Sequence, residues 1–149
     1  MLNSDYRDIL SALCDAKAEF LVVGAYALAS HGLVRATSDI DIWVNPTVQN
    51  AERVVNALLE FGAPLEQIEP SAFTAEDQVV QLGIAPVRVD LLTGLTGLTF
   101  VEAWERREQV TLEGIEVPVL CLKDLATNKR ATGRPQDLAD LKWIEEREL

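Results

Sequence analysis

The stretch FLVVGAYALASHGLVRATSDIDIWV, Phe20 to Val44, constrains this chain more than any other segment. An apolar run, Phe20 to Val23, is broken by Gly24. Ala25 to His31 then reads as a short helix ended by Gly32, and Ser38 to Val44 alternates as a strand. In that strand Asp39, Asp41 and Trp43 share one face and Ile40, Ile42 and Val44 the other, since successive strand residues point to opposite sides. Packing does not call for two carboxylates on an otherwise apolar strand, and burying them unpartnered is costly. A divalent cation with oxygen ligands is the simplest compensation.

The same periodicities extend along the chain. Asp5 to Lys17 carries Ile9, Leu10 and Leu13 at helical spacing, with Ser4 or Asp5 as its cap. Thr47 caps a helix from Val48 to Glu60, and Phe61-Gly62-Ala63-Pro64 ends it. Pro70 to Glu76 reads as irregular. Gln78 to Leu82 and Val87 to Leu92 read as strands, Phe100 to Arg107 as a short helix, and Val110 to Leu112 with Val117 to Leu120 as a hairpin about Glu113-Gly114. Two helices close the chain, Leu122 to Thr132 and Pro135 to Glu148, with Pro135 in the first turn. In the last helix Leu138, Leu141, Trp143 and Ile144 are expected inward, and Asp137, Asp140 and Lys142 outward.

The expected fold is therefore α/β (α+β): a mixed sheet, helices mainly on one face and a C-terminal helical pair. At 149 residues and 48% hydrophobic content a single domain, 1–149, suffices, with a core over about 18–120 and the helical pair over about 121–149. No apolar run reaches a membrane span, and MLNSDYRDIL lacks the basic and apolar parts of a signal peptide, so a cytoplasmic setting without membrane is expected. Cys14 and Cys121 stand far apart without a motif and are expected as free thiols. A single histidine, His31, excludes a multi-histidine metal site.

A formal charge of −11 opposes an extended nucleic-acid footprint. The basic residues concentrate at Lys123, Lys129, Arg130 and Arg134, where a small anionic ligand remains possible. Asp90, in VRVDLL, is a carboxylate isolated among apolar residues. If its strand lies beside that of Asp39 and Asp41, three carboxylates converge, a cluster suited to one or two Mg²⁺ ions. Gly24 lets backbone approach a ligand closely where a helix begins. Simpler roles exist for each residue. Asp90 can pair with Arg88 and Asp41 with Arg35. His31 suits a helix end, Thr37 or Ser38 can satisfy loop backbone, and Trp43 can either stack on a base or pack in the core.

The ordered set Gly24, a helix, Asp39-Ile40-Asp41 and later Asp90 resembles the nucleotidyltransferase superfamily related to DNA polymerase β. HGLVRATSDIDIWV resembles the small bacterial members found in abortive-infection and toxin–antitoxin systems, and CLKDLATNKRATGRPQDLADLKWI is similar to their C-terminal helices. The resemblance implies Mg²⁺-dependent transfer (with Mn²⁺ as alternative) of a nucleoside monophosphate from a nucleoside triphosphate such as ATP to an acceptor hydroxyl. By it Asp39, Asp41 and Asp90 are catalytic and hold metal. Gly24, Ala25, Arg35, Thr37, Ser38, Lys123, Lys129 and Arg134 would bind the nucleotide or the acceptor. The acceptor is left open, with a partner protein or an RNA end as options. One departure stands out: the family usually has Gly-Gly or Gly-Ser where this chain has Gly24-Ala25, and alanine offers phosphate no hydroxyl. The alternative expectation is a degenerate, antitoxin-like binding module acting on a partner protein.

Overall fold

The computed structural model describes residues 3–35, 39–84 and 87–148. In chain order the elements are α1 (Ser4–Asp15), β1 (Phe20–Val23), α2 (Gly24–Ser30), β2 (Asp39–Val44), α3 (Val48–Phe61), β3 (Val79–Ile84), β4 (Val87–Leu92), α4 (Phe100–Glu105), β5 (Glu108–Leu112), β6 (Ile115–Val119), α5 (Leu122–Thr132) and α6 (Pro135–Glu148). Two 3₁₀ turns, Leu65–Gln67 and Pro70–Phe73, lie between α3 and β3. The second replaces the irregular segment expected there, because it buries Phe73 completely.

Capping chemistry sets the helix ends. Asn3, rather than Ser4 or Asp5, caps α1: its side chain accepts from the Asp5 amide. Thr47 caps α3, and Gly62 closes it at φ +94°, the left-handed region that glycine enters without steric penalty. Asn50 is buried, and its side chain closes a small polar knot. Its Oδ1 accepts from the Glu19 amide at 2.6 Å, and its Nδ2 donates to the carbonyls of Glu19 and Asn45, both at 2.9 Å. This knot fixes α3 to the start of β1 and the end of β2, and satisfies the buried Asn50 amide.

The strands form one mixed sheet in the order β3-β4-β2-β1-β6-β5. β2 runs antiparallel to β1 and parallel to β4, and β1 runs parallel to β6. The β2–β4 ladder sets Asp39 beside Arg88 and Asp41 beside Asp90. The core packs Leu21, Ile40, Ile42, Leu91 and Val119 of the sheet with Ile9 and Leu13 of α1 and Val54 and Leu58 of α3. No helix of the described residues is long and apolar enough to cross a membrane. Both cysteines are free, Cys121 buried and Cys14 half-buried.

The last helix departs from its apolar pattern. Asp137 and Asp140 are buried at 1% and 5% exposure, whereas Leu138 is 52% exposed. Two of their cations come from other segments of the chain and one, Arg134, from the residue before the helix. Lys129 reaches Asp137 at 3.4 Å and Asp140 at 3.1 Å, Arg134 reaches Asp137 at 2.7 Å, and Arg35 pairs with Asp140. Ion pairing turns the carboxylate side of α6 inward, while Leu141 and Ile144 still reach the core.

Asp137 also accepts from the Arg134 amide at 3.1 Å, the reciprocal half of a capping box at the start of α6. The Arg134 guanidinium, helped by Thr132 and Lys129, holds its carboxyl well below the usual carboxylate range. A depressed folded value stabilises the protein above the ordinary carboxylate pKa, and that contribution fades as pH falls below it. Asp137→Ala is accordingly expected to lower stability by about 2–4 kcal/mol at pH 7, since it removes a cap and leaves Lys129 short of a counter-charge. The deficit, read by urea titration, shrinks as the wild type is taken to low pH.

Candidate active site

The site begins at the end of β1. Gly24 has φ +67°, and a Cβ added there would stand 2.4 Å from Asp41 Oδ2 and 3.3 Å from Asp41 Cβ. Glycine is therefore required twice, once for the backbone turn and once because the Asp41 carboxylate lies against it. The next residue, Ala25, brings only a methyl group to the first turn of α2.

Asp39 and Asp41 project from one face of β2, and Asp90 and Arg88 from the adjoining positions of β4. The Arg88 guanidinium spans the two strands. Its Nη2 donates to Asp39 Oδ2 at 2.6 Å and to Asp90 Oδ2 at 3.2 Å, and its Nε donates to Asp90 Oδ1 at 3.1 Å. The Arg88 amide in turn donates to the Tyr6 hydroxyl at 3.2 Å, which ties β4 to α1. The Arg88–Asp90 pair considered from sequence thus exists, and it takes in Asp39 as well.

Asp41 is left in a different state. Among the described residues no ion pair reaches its carboxylate, whose hydrogen-bond neighbour is Asp90, and Arg35 binds Asp140 instead. Burial, followed by the negative charges of Asp90 and Asp39, pushes its pKa up to about 6, while Arg88 pulls the other way. Asp41 is also the one carboxylate of the three that lines the adjoining cavity of about 350 Å³. Gly24, Ala25, Lys129, Arg134 and a second carboxylate, Asp137, line the same cavity.

The remaining expected site residues fall in several places. Lys129 and Arg134 reach the cavity, although Asp137 and Asp140 already neutralise Lys129. Lys123 lies on another side of α5, in a depression with Glu102 and Arg106. Arg35 is engaged with α6. Thr37 and Ser38 lie outside the described residues. Trp43 is buried at 1% exposure, its ring edge-on to Phe100 at 5.2 Å, so its packing role prevails over base stacking. His31 closes α2, with Nε2 3.0 Å from the Leu120 carbonyl.

Sequence reasoning passed over two wall segments. Gly94, Leu95 and Thr96 follow β4, and Asn128 and Thr132 stand on α5 beside Lys129. The helical spacing of residues 128, 129 and 132 could have marked one face of α5, and Gly94 directly after the Asp90 strand could have marked a close approach.

Three oxygen-donor carboxylates suit a hard divalent cation, and Asp41 is the group that would gain most from one. Among the described residues no trio of such side chains is already closed around a single point. Arg88 holds two of the three.

Comparison with known proteins agrees with this architecture. The model of the family described as "Nucleotidyltransferase of unknown function (DUF6036)" matches residues 5–149. No curated protein matches the sequence. The fold is similar to the crystal structure, at 1.87 Å, of a protein from Thermotoga maritima described as a candidate nucleotidyltransferase. That likeness has a TM-score of 0.65 at 21% identity and covers 98% of this chain and 96% of that chain. A mixed six-stranded sheet carrying Asp39-Ile40-Asp41 beside Asp90, over a family match that spans nearly the whole sequence, identifies the chain as a member of the DUF6036 nucleotidyltransferase family.

Proposed function

We propose that this protein is a divalent-metal-dependent nucleotidyltransferase that moves a nucleoside monophosphate from a nucleoside triphosphate to an acceptor hydroxyl. The observation that carries the reading is the cavity that Asp41 and Gly24 line together with Lys129 and Arg134. An anionic ligand there meets two cationic side chains, both already paired with Asp137, and a carboxylate suited to a metal. Asp39, Asp41 and Asp90 would hold Mg²⁺, or Mn²⁺ in its place, which when bound lowers the pKa of an attacking hydroxyl and neutralises charge at the phosphorus. The chain's own residues then orient the triphosphate: backbone at Gly24 approaches it closely, and Arg134, whose side chain is 74% exposed, would reach it from its pairing with Asp137. The acceptor oxygen attacks the α-phosphorus in line and pyrophosphate leaves from the opposite side. The acceptor is a small molecule, an RNA end or a partner protein, in a cytoplasmic setting.

A second reading is a degenerate module that binds nucleotide or a partner protein, antitoxin-like, without turnover. It is favoured by Ala25, which supplies no hydroxyl, and by the grip of Arg88 on Asp39 and Asp90. The test incubates the protein with Mg²⁺ and α-labelled nucleoside triphosphates, alone and with cell lysate. Label transfer that Asp39→Asn reduces at least a hundredfold is the expected result. Nucleotide binding by calorimetry without any transfer selects the second reading.

A further inference from the structure

Arg88 is the least expected member of the site. It is a cation placed among carboxylates that the proposed reaction needs for metal. Its planar fork makes three hydrogen bonds, one to Asp39 and two to Asp90, at 2.6, 3.1 and 3.2 Å. Those two residues come from different strands, so the fork also bridges β2 and β4 across their ladder. The side chain is 32% exposed, with Asp39 at 28% and Asp90 at 11%, so the bridge is partly desolvated. Charge-assisted, two-pronged bonds of this kind are the strong ones, and arginine suits them because its fork matches carboxylate geometry. Its own backbone amide is anchored on Tyr6, which holds the position of Arg88 on β4 relative to α1.

Taking the Proposed function's metal site as given, we propose that Arg88 is an internal counter-cation that competes with the divalent ion for Asp39 and Asp90. In the metal-free protein it does the neutralising that a bound ion would otherwise do. This keeps the cluster assembled without metal. A divalent ion must take at least part of the Asp39 and Asp90 oxygens from the guanidinium, so the net gain from binding is reduced. Asp41, which Arg88 does not reach by any hydrogen bond among the described residues, is the point at which an entering ion meets no competitor. Arg88 is in this sense a positioning residue that sets metal affinity, whereas the carboxylates supply the ligands.

The experiment measures Mn²⁺ affinity by electron paramagnetic resonance, and the Mn²⁺-induced change in melting temperature, for wild type, Arg88→Ala and Arg88→Gln. The glutamine variant keeps the stem and a neutral donor, and stands in if the alanine variant does not fold without metal. The expected result has two parts. The variant is less stable than wild type without metal, and saturating Mn²⁺ removes most of the difference. Its Mn²⁺ affinity rises at least tenfold. Equal or weaker Mn²⁺ binding by a folded variant would overturn the proposal, since Arg88 would then hold the carboxylates in place for the metal and not against it. A stability deficit that Mn²⁺ leaves untouched overturns it in the same way. Absence of Mn²⁺ binding in folded wild type and variants alike is a separate pattern: it overturns the metal site itself, and the competition with it.

Discussion

Asp41→Asn is expected to abolish nucleotidyl transfer and at the same time to raise the melting temperature of the metal-free protein at pH 8. Both effects have one cause. Burial and the neighbouring carboxylates push Asp41 up to about 6, so the folded protein prefers it protonated. For a carboxyl raised above its unfolded value the penalty is absent below about pH 4, grows as pH rises through the folded value, and is fully present above it. Asparagine resembles the protonated form and is free of that penalty at any pH. The gain is expected to be about 1–2 kcal/mol at pH 8, roughly 3–6 °C for a chain of this size, and close to zero at pH 4. Differential scanning calorimetry of both proteins across that range checks it. A melting temperature unchanged or lowered at pH 8 would mean that the Asp41 carboxylate is better solvated than its position against Gly24 suggests.

The second large effect belongs to Gly24→Ala. The added methyl group would stand 2.4 Å from Asp41 Oδ2 and 3.3 Å from its Cβ, so the carboxylate must turn away from the cavity. The backbone at φ +67° adds a penalty of about 1–2 kcal/mol for a residue with a Cβ. Transfer is expected to fall as far as it does in Asp41→Asn, with stability reduced by about 1–3 kcal/mol. Gly62→Ala supplies the control. Gly62 sits at φ +94° with nothing within 4 Å of an added Cβ, so it carries the backbone penalty alone. Similar loss of stability in the two variants, with loss of transfer in Gly24→Ala only, separates the contact with Asp41 from the strain of the turn. Equal transfer in both variants would place the nucleotide away from Gly24.

Much of the candidate site was legible along the chain because its signals are local. Strand alternation put Asp39 and Asp41 on one face, and the glycine after an apolar run marked the turn at Gly24. Asp90 drew attention because a lone carboxylate in VRVDLL has no reason to be there without a partner. The element order was legible for the same reason, and α5 and β4 occupy the expected spans. Strand edges shifted by one or two residues where ladder pairing extends a strand past its pattern, as for β5, which begins at Glu108 opposite Val119.

What could not be read locally is which residues meet. The apolar pattern of α6 pointed Leu138 inward and Asp137 outward, and the structure reverses them. The cause is the charge of Lys129 and Arg35, which reaches α6 only after the chain has folded, together with Arg134 at the start of the helix itself. Trp43 shares a strand face with the aspartates yet packs against Phe100, because the closing of that part of the core depends on α4. Lys123 and Lys129 lie six positions apart on one helix and face different cavities, as helical rotation requires.

By itself, then, the sequence determined the α/β alternation, the glycine turn and the carboxylates that would carry chemistry, since each depends on the period of one element or on the conformational freedom of one residue. The tertiary structure alone decided the parallel register that sets Asp41 beside Asp90, the closing of Arg88 across Asp39 and Asp90, and the pairing of α6 with Lys129 and Arg35. Apart from the Arg88–Asp90 pair, two residues apart on β4, those are interactions between residues of different segments of the chain. Their partners are selected by strand pairing and by the need to neutralise charge as it leaves water.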